Sequence, residues 1–151
     1  MAFASSYGQT FTATPTGTTS STLVMMGVGV VIVPQSTGRI IVWASGTIGN
    51  STTGDGFAYN IYEGAGTSVP TNGAAVSGNP ICTLQTVTSV VTSNLVLPFA
   101  LAGSAQGFAF TKIDGTDKTL AGTAYWFDLA LEAVTGGTAT MTGVSFTVME
   151  F

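Results

Sequence analysis

Two alternating stretches near the C-terminus constrain the fold more than anything else in the chain. One holds Tyr125, Trp126, Phe127, Asp128, Leu129, Ala130, Leu131 and Glu132. The other holds Val144, Ser145, Phe146, Thr147, Val148, Met149, Glu150 and Phe151, and Gly136-Gly137 lies between them. Period-two alternation predicts half-buried β-strands. A Gly-Gly pair fits a two-residue hairpin turn, in which both central residues need positive φ. That turn would set Leu129 opposite Val144, Phe127 opposite Phe146 and Tyr125 opposite Val148, with the large apolar partners on one face. The other face would carry Trp126, Asp128, Ala130, Glu132, Met141, Ser145, Thr147 and Met149. It is less apolar than the first, yet it does not read as ordinary solvated surface. The expectation is that it meets another subunit.

Upstream, the pattern stays β. Residues 1–21 are rich in Ser, Thr, Gly and Ala; Phe3, Tyr7 and Phe11 recur every four positions, but Gly8, the threonines and Pro15 oppose a helix. An extended N-terminal arm that docks on something is expected there, followed by a single domain over 22–151. Residues 23–33 form an apolar run with apolar side chains at both parities, a strand expected to be covered on both faces, possible in a β protein at a subunit interface. At about half the ~20 residues of a spanning helix, the run is too short to cross a membrane as a helix. Residues 39–48 alternate, with Ile40, Val42, Ala44 and Ile48 on one face and Arg39, Ile41, Trp43, Ser45 and Thr47 on the other. Phe57, Tyr59 and Ile61 mark another strand. Residues 64–79 form a long Gly/Pro/Ala/Ser loop of the kind that often carries function. One or two strands follow in 81–91. Pro98 makes 93–101 an edge strand or a bulged one, and Phe108 and Phe110 share a face in 106–113. The count is about eight short, turn-bounded strands, which predicts an all-β antiparallel β-sandwich or jelly roll.

Composition narrows function by exclusion. Only 7% of the 151 residues are charged, against roughly 25% in ordinary domains. So neutral a surface tends to associate, and burial in an oligomer or larger assembly is expected. The three cations, Arg39, Lys112 and Lys118, are scattered and the net charge is −4, which disfavours nucleic-acid binding. Cys82 is the single cysteine, so no intrachain disulfide forms, and a small buried strand residue is its simplest role. The N-terminus lacks a basic-then-apolar leader pattern, so synthesis in a cytoplasm without secretion is expected.

The chain has no histidine. Ser-His-Asp and Cys-His nucleophile systems are therefore unavailable, and so is the commonest metal ligand. Cys82 lacks partners for a zinc site. Asp114 and Asp117 share one turn and would supply half of a calcium site, although Asp beside Gly more often bonds its own backbone; Asp55 before Gly56 reads the same way. Asp128 and Glu132 fall on one strand face roughly 13 Å apart, too far for a glycosidase pair, and read as surface or interface carboxylates. Trp43 or Trp126 would serve as a carbohydrate platform, but core or interface is the commoner place for Trp. No enzyme, cofactor or metal is expected.

Several stretches also carry a resemblance. They are Val24-Met25-Met26-Gly27; Gly38-Arg39-Ile40-Ile41-Val42; Gly54-Asp55-Gly56 leading to Asn60-Ile61-Tyr62-Glu63-Gly64; the stretch from Gly122 through Tyr125-Trp126-Phe127-Asp128 to Leu131; and the terminal strand 144–151. Together they resemble small structural proteins of tailed bacteriophages, in particular the jelly-roll head decoration (cement) proteins, over most of the chain from Leu23 onward. The resemblance implies a homotrimer of jelly rolls on the outer capsid surface of a virion, contacting the major capsid protein and stabilising the shell, with no nucleic acid and no membrane as partner. The alternative is a receptor-binding tip or lectin-like module of a tail fibre, with ligands at loops 49–56 or 64–79. Residues expected at oligomer or capsid contacts are Phe3, Tyr7, Phe11, Met25, Trp43, Trp126, Met141 and Met149.

Overall fold

The computed structural model describes residues 7–13, 16–36, 38, 40–81, 83–89, 95–100, 108–110 and 121–150. The described elements are β1 (Tyr7–Thr12), β2 (Thr16–Thr18), β3 (Val24–Met25), β4 (Val30–Ile32), β5 (Ile40–Asn50), β6 (Gly56–Ala65), β7 (Asn79–Pro80), β8 (Gln85–Val87), β9 (Leu95–Ala100), β10 (Phe108–Phe110), β11 (Tyr125–Val134) and β12 (Ala139–Glu150). All described pairings are antiparallel.

The segments form two six-stranded sheets, with the paths β1-β12-β5-β10 and β3-β11-β6-β7; β2 lies along β12, β9 along β5, β4 along β11 and β8 along β6. Four pairs of short segments (β1/β2, β3/β4, β7/β8 and β9/β10) each occupy one strand position, so the twelve segments fill eight positions. Numbered along the chain, the order is 1-8-3-6 in sheet A and 2-7-4-5 in sheet B. That is the jelly-roll arrangement, two sheets built from interleaved Greek keys. Pro98 sits in the outermost position of sheet A, opposite Thr47, where the missing N–H can face away from the ladder.

The C-terminal arms are not a hairpin. β11 pairs with β6, setting Leu129 opposite Ile61 and Phe127 opposite Glu63, while β12 pairs with β5 and β1. The connection 135–138 carries the chain from one sheet to the other. Thr135, Gly136 and Gly137 take φ of 69°, 146° and 67°, a run of positive values that a two-residue turn does not have. The Asn50 side chain fixes this arch by donating to Gly136 O and Gly56 O (3.0 and 2.7 Å), and Thr138 N–H donates to Ser51 Oγ (2.9 Å). The apolar sets do meet, but face to face across the interior: Tyr125, Phe127, Leu129 and Leu131 share the main core with Val144, Phe146 and Val148.

Three further expectations change. The run 23–33 is two strands separated by an arch at 26–29. Residues 7–12 and 16–18 of the expected arm are stitched to β12, Tyr7 opposite Met149 and Thr16 opposite Met141, and Thr10 Oγ1 donates to Val28 O across to sheet B (2.7 Å). Met141 lies in the core, 0% exposed, because β12 is bulged: Thr142 pairs with Thr47 and Ser145 with Ser45, so three steps on β12 match two on β5. Gly143 takes φ of 61° there, a conformation that glycine adopts without a Cβ penalty. The extra residue swaps the parity of the strand.

Candidate interaction surface

The outward face of sheet A carries the two most exposed aromatic residues among those described, Tyr7 and Phe11. Its register places Tyr7, Met149 and Ile41 in one row, Gln9, Thr147 and Trp43 in the next, and Phe11, Ser145 and Ser45 in a third. Neighbouring strands are about 4.8 Å apart, so side chains in a row touch or nearly so. Tyr7 and Phe11 are 57% and 68% exposed, the two largest values among the described large hydrophobic residues. Trp43, Ile41, Thr147 and Met149 are half-buried. Tyr7 Oη donates to Gln9 Oε1. None of the nine side chains carries a charge at neutral pH. The surface therefore offers apolar and neutral polar contact whose burial removes no ion from water.

Of the expected contact residues, Tyr7, Phe11, Trp43 and Met149 converge on this face. Met25 and Trp126 do not. They form a second small core with Ala130 on the outer side of sheet B, packed by Leu23, Val31, Tyr62, Val69, Ala74 and Val76. Trp126 is 7% exposed and Met25 is 0% exposed. Segment 66–78, the greater part of the long loop, roofs them as a strap: Met25 N–H donates to Ala74 O and Gly73 N–H to Met25 O (2.9 and 2.8 Å). A Cβ at Gly64 of β6 or at Gly78 of the strap would lie 2.5 or 2.8 Å from the indole ring, so a glycine on each makes room for Trp126. The part of the expected subunit face around Trp126 and Ala130 is thus covered by the chain itself, whereas Thr147 and Met149 of that face lie on the open side of sheet A. Phe3, Arg39, Cys82, Lys112, Lys118, Asp114 and Asp117 lie outside the described residues.

Glu150 and Asp128 are tied to backbone amides, and Glu63 and Asp55 to side chains. Glu150 is 2% exposed; its Oε2 accepts from Gln35 N–H (2.6 Å) and its Oε1 from Ser36 and Gly38 N–H (3.0 and 2.7 Å), closing the turn before β5. Glu63 accepts from Asn79 Nδ2 (3.1 Å). Asp55 accepts from Thr135 Oγ1 (3.0 Å). Asp128, expected at a surface or interface, is 0% exposed. Its Oδ2 and Oδ1 accept from Gly27 and Val28 N–H (2.8 and 2.9 Å). Burial raises its pKa from 3.8 to about 6 against the opposing pull of these backbone bonds.

Among the described residues, no group of three His, Cys, Asp or Glu side chains is placed to hold a metal ion, and no helix is long and apolar enough to cross a membrane. Gln9 and Ile41 were not singled out from sequence as contact residues, and Thr147 was placed only on the second face of the C-terminal strands. Strand parity alone points to them, since each lies two positions from an aromatic or methionine on the same face.

No family model matches the sequence, and no curated protein matches it. In solved structures, the chain is similar to chains of infectious bursal disease virus. A structure of the Gt strain aligns with TM-score 0.47 and 9% identity over 97% of this chain and 33% of that one. The Gx strain aligns with 0.47 and 14% over 98% and 32%, and the VP2 subviral particle with 0.43 and 9% over 98% and 38%. This chain spans about a third of the length of the solved chains it matches.

Proposed function

We propose that this protein is a non-enzymatic structural component of a virion, a decoration or cement protein that binds the outer capsid surface as a homotrimer and stabilises the shell. The observation that carries the reading is the uncharged aromatic face of sheet A, with Tyr7 and Phe11 held out to solvent on a strand locked to β12. An exposed aromatic on a rigid strand loses little entropy when covered, so such residues are effective contact anchors. The low charge of the whole chain and its resemblance to phage head proteins point the same way.

The test is a pair of measurements. Light scattering should give a trimeric mass at micromolar concentration, and purified particles should carry many copies around the shell. A double substitution Tyr7→Ser/Phe11→Ser should remove shell binding, and with it the added resistance of the particle to heat. A monomeric mass, or undiminished shell binding by the double variant, overturns the reading.

One observation favours a second reading, a receptor-binding or lectin-like module. Trp43 lies beside Thr147 and in one row with Gln9, so an indole ring and neutral hydrogen-bonding groups share a flat surface suited to a sugar ring. That reading predicts few copies per particle and loss of glycan binding in Trp43→Ala.

A further inference from the structure

The strap over Trp126 turns at an asparagine followed by glycine. Ala74 N–H donates to Thr71 O (3.1 Å), which closes a β-turn with Asn72 and Gly73 at its corners. Gly73 takes φ of 82°, the conformation a type II turn requires at its third residue and glycine supplies without strain. Residues 71–73 are exposed, and a Cβ at Gly73 would meet nothing within 4 Å.

Among the asparagines, Asn72 is the one whose sequence and setting suit deamidation, the thermal weakness of this residue type. In that reaction the backbone nitrogen of the next residue attacks the side-chain amide carbon, and a next residue without Cβ obstructs it least. Asn72 precedes Gly73, whereas Asn60 precedes Ile61 and Asn94 precedes Leu95. Asn79 precedes Pro80, which has no N–H proton to give up. Asn50 precedes Ser51, but it is 1% exposed and its amide nitrogen is held by Gly56 O and Gly136 O.

The same turn anchors the strap. Gly73 N–H donates to Met25 O and Met25 N–H to Ala74 O (2.8 and 2.9 Å), and Val24 bridges Ala75. A Cβ at Gly27 would lie 2.9 Å from Asn72 N, so the turn packs directly on the 26–29 arch. The nitrogen that would attack is therefore the one whose N–H fastens the strap. It is released when the strap lifts, a local opening of the kind that exposed loop segments undergo.

We propose that Asn72 is a site of self-modification whose product, isoaspartate, releases the strap from Trp126. In the lifted strap, Gly73 N attacks Asn72 Cγ. The N–Cγ bond forms, the Cγ–Nδ2 bond breaks, and ammonia leaves with the proton from Gly73 N. Water then opens the cyclic imide. Cleavage between nitrogen and Cγ gives aspartate; cleavage between nitrogen and the main-chain carbonyl carbon gives isoaspartate, whose chain runs through Cβ and Cγ. No oxidant or reductant takes part. Isoaspartate adds one atom to the main chain between Val69 and Ala74, both packed on the Trp126 core. It also places a carboxylate on segment 66–78, which has no ionisable side chain. The turn bond and both bonds at Met25 cannot all survive the longer chain.

The full chain is incubated folded at mildly alkaline pH and body temperature, beside a urea-denatured sample and the variant Asn72→Ser. Peptide mass spectrometry reads deamidation, and isoaspartyl methyltransferase labelling separates isoaspartate from aspartate. The expected result in the folded chain is isoaspartate in the 66–78 peptide ahead of deamidation in every other asparagine-containing peptide, and none in that peptide of Asn72→Ser. The converted fraction, isolated by ion exchange through its extra negative charge, should exchange the amides of 24–30 about 30-fold faster than unconverted protein, the change expected for two lost hydrogen bonds. Asn72→Asp, which gains the charge without the extra atom, should exchange like unconverted protein. No isoaspartate at residue 72 of the folded chain over a period that converts the denatured one overturns the proposal, and so does a converted fraction that exchanges no faster than Asn72→Asp.

Discussion

Replacing Trp126 by alanine separates a core role from a contact role. The indole is 7% exposed, clamped between β6, the strap and Met25. A buried Trp of this kind removes about 150–200 Å² from water, which at about 25 cal/mol per Å² corresponds to about 4–5 kcal/mol. Truncation to alanine leaves a cavity that the strap partly fills, so a loss of about 3–4 kcal/mol is expected, within the usual range for Trp→Ala. A domain of this size has about 5–15 kcal/mol of stability in all, so the variant still folds at room temperature. Urea unfolding followed by far-UV circular dichroism measures the loss, and light scattering on the same sample measures mass. The expected outcome is a large drop in the urea midpoint at unchanged oligomeric mass below the transition. A loss under about 1 kcal/mol together with a collapse in mass would mean that Trp126 belongs to an intersubunit contact, and the assignment of the strap as its cover would be wrong.

Other substitutions have distinct signatures. Tyr7→Ser/Phe11→Ser should change the free energy of unfolding by no more than ordinary surface changes do, about 0.5 kcal/mol per site, while abolishing shell binding measured by co-sedimentation with purified particles. Global stability should fall by about 2 kcal/mol as pH rises from about 4 to about 7, because the folded state holds the Asp128 proton up to about 6 and the unfolded state releases it near 3.8; urea titrations should show that fall in the wild type and not in Asp128→Asn. Deleting Gly143 removes the bulge and forces either Ala139 and Met141 or Val144, Phe146 and Val148 out of the core, so the deletion variant should be recovered unfolded or insoluble.

The alternation in 125–132 and 144–151 identified Tyr125, Phe127, Leu129, Val144, Phe146 and Val148 correctly as core, missed the burial of Trp126, Asp128 and Ala130, and gave the wrong hydrogen-bonding partners. Period two reports which side chains leave water; it does not report whether two apolar faces lie side by side in one sheet or opposite each other in two. Gly136-Gly137 looked like a tight turn because glycine allows positive φ, but the same freedom serves an arch, and the choice was made by Asn50, Ser51 and Asp55 from a distant loop. In the same way, Met141 and Met149 share parity in sequence and part company only at Gly143. The outward group of Tyr7, Phe11, Trp43 and Met149 was legible as four separate residues and became a surface only when β1, β12 and β5 came into register.

By itself, the sequence determined that this is an all-β antiparallel sandwich with almost no charge and no histidine chemistry, because those properties are local: side-chain period, turn residues and composition. Only the tertiary structure decided what covers what. Trp126 and Met25 look like a subunit contact until segment 66–78 folds over them, and Asp128 looks like a surface carboxylate until four residues arch around it. Burial depends on chain that arrives from far away in sequence, and no window of residues around Trp126 or Asp128 contains the strap or the arch that encloses it.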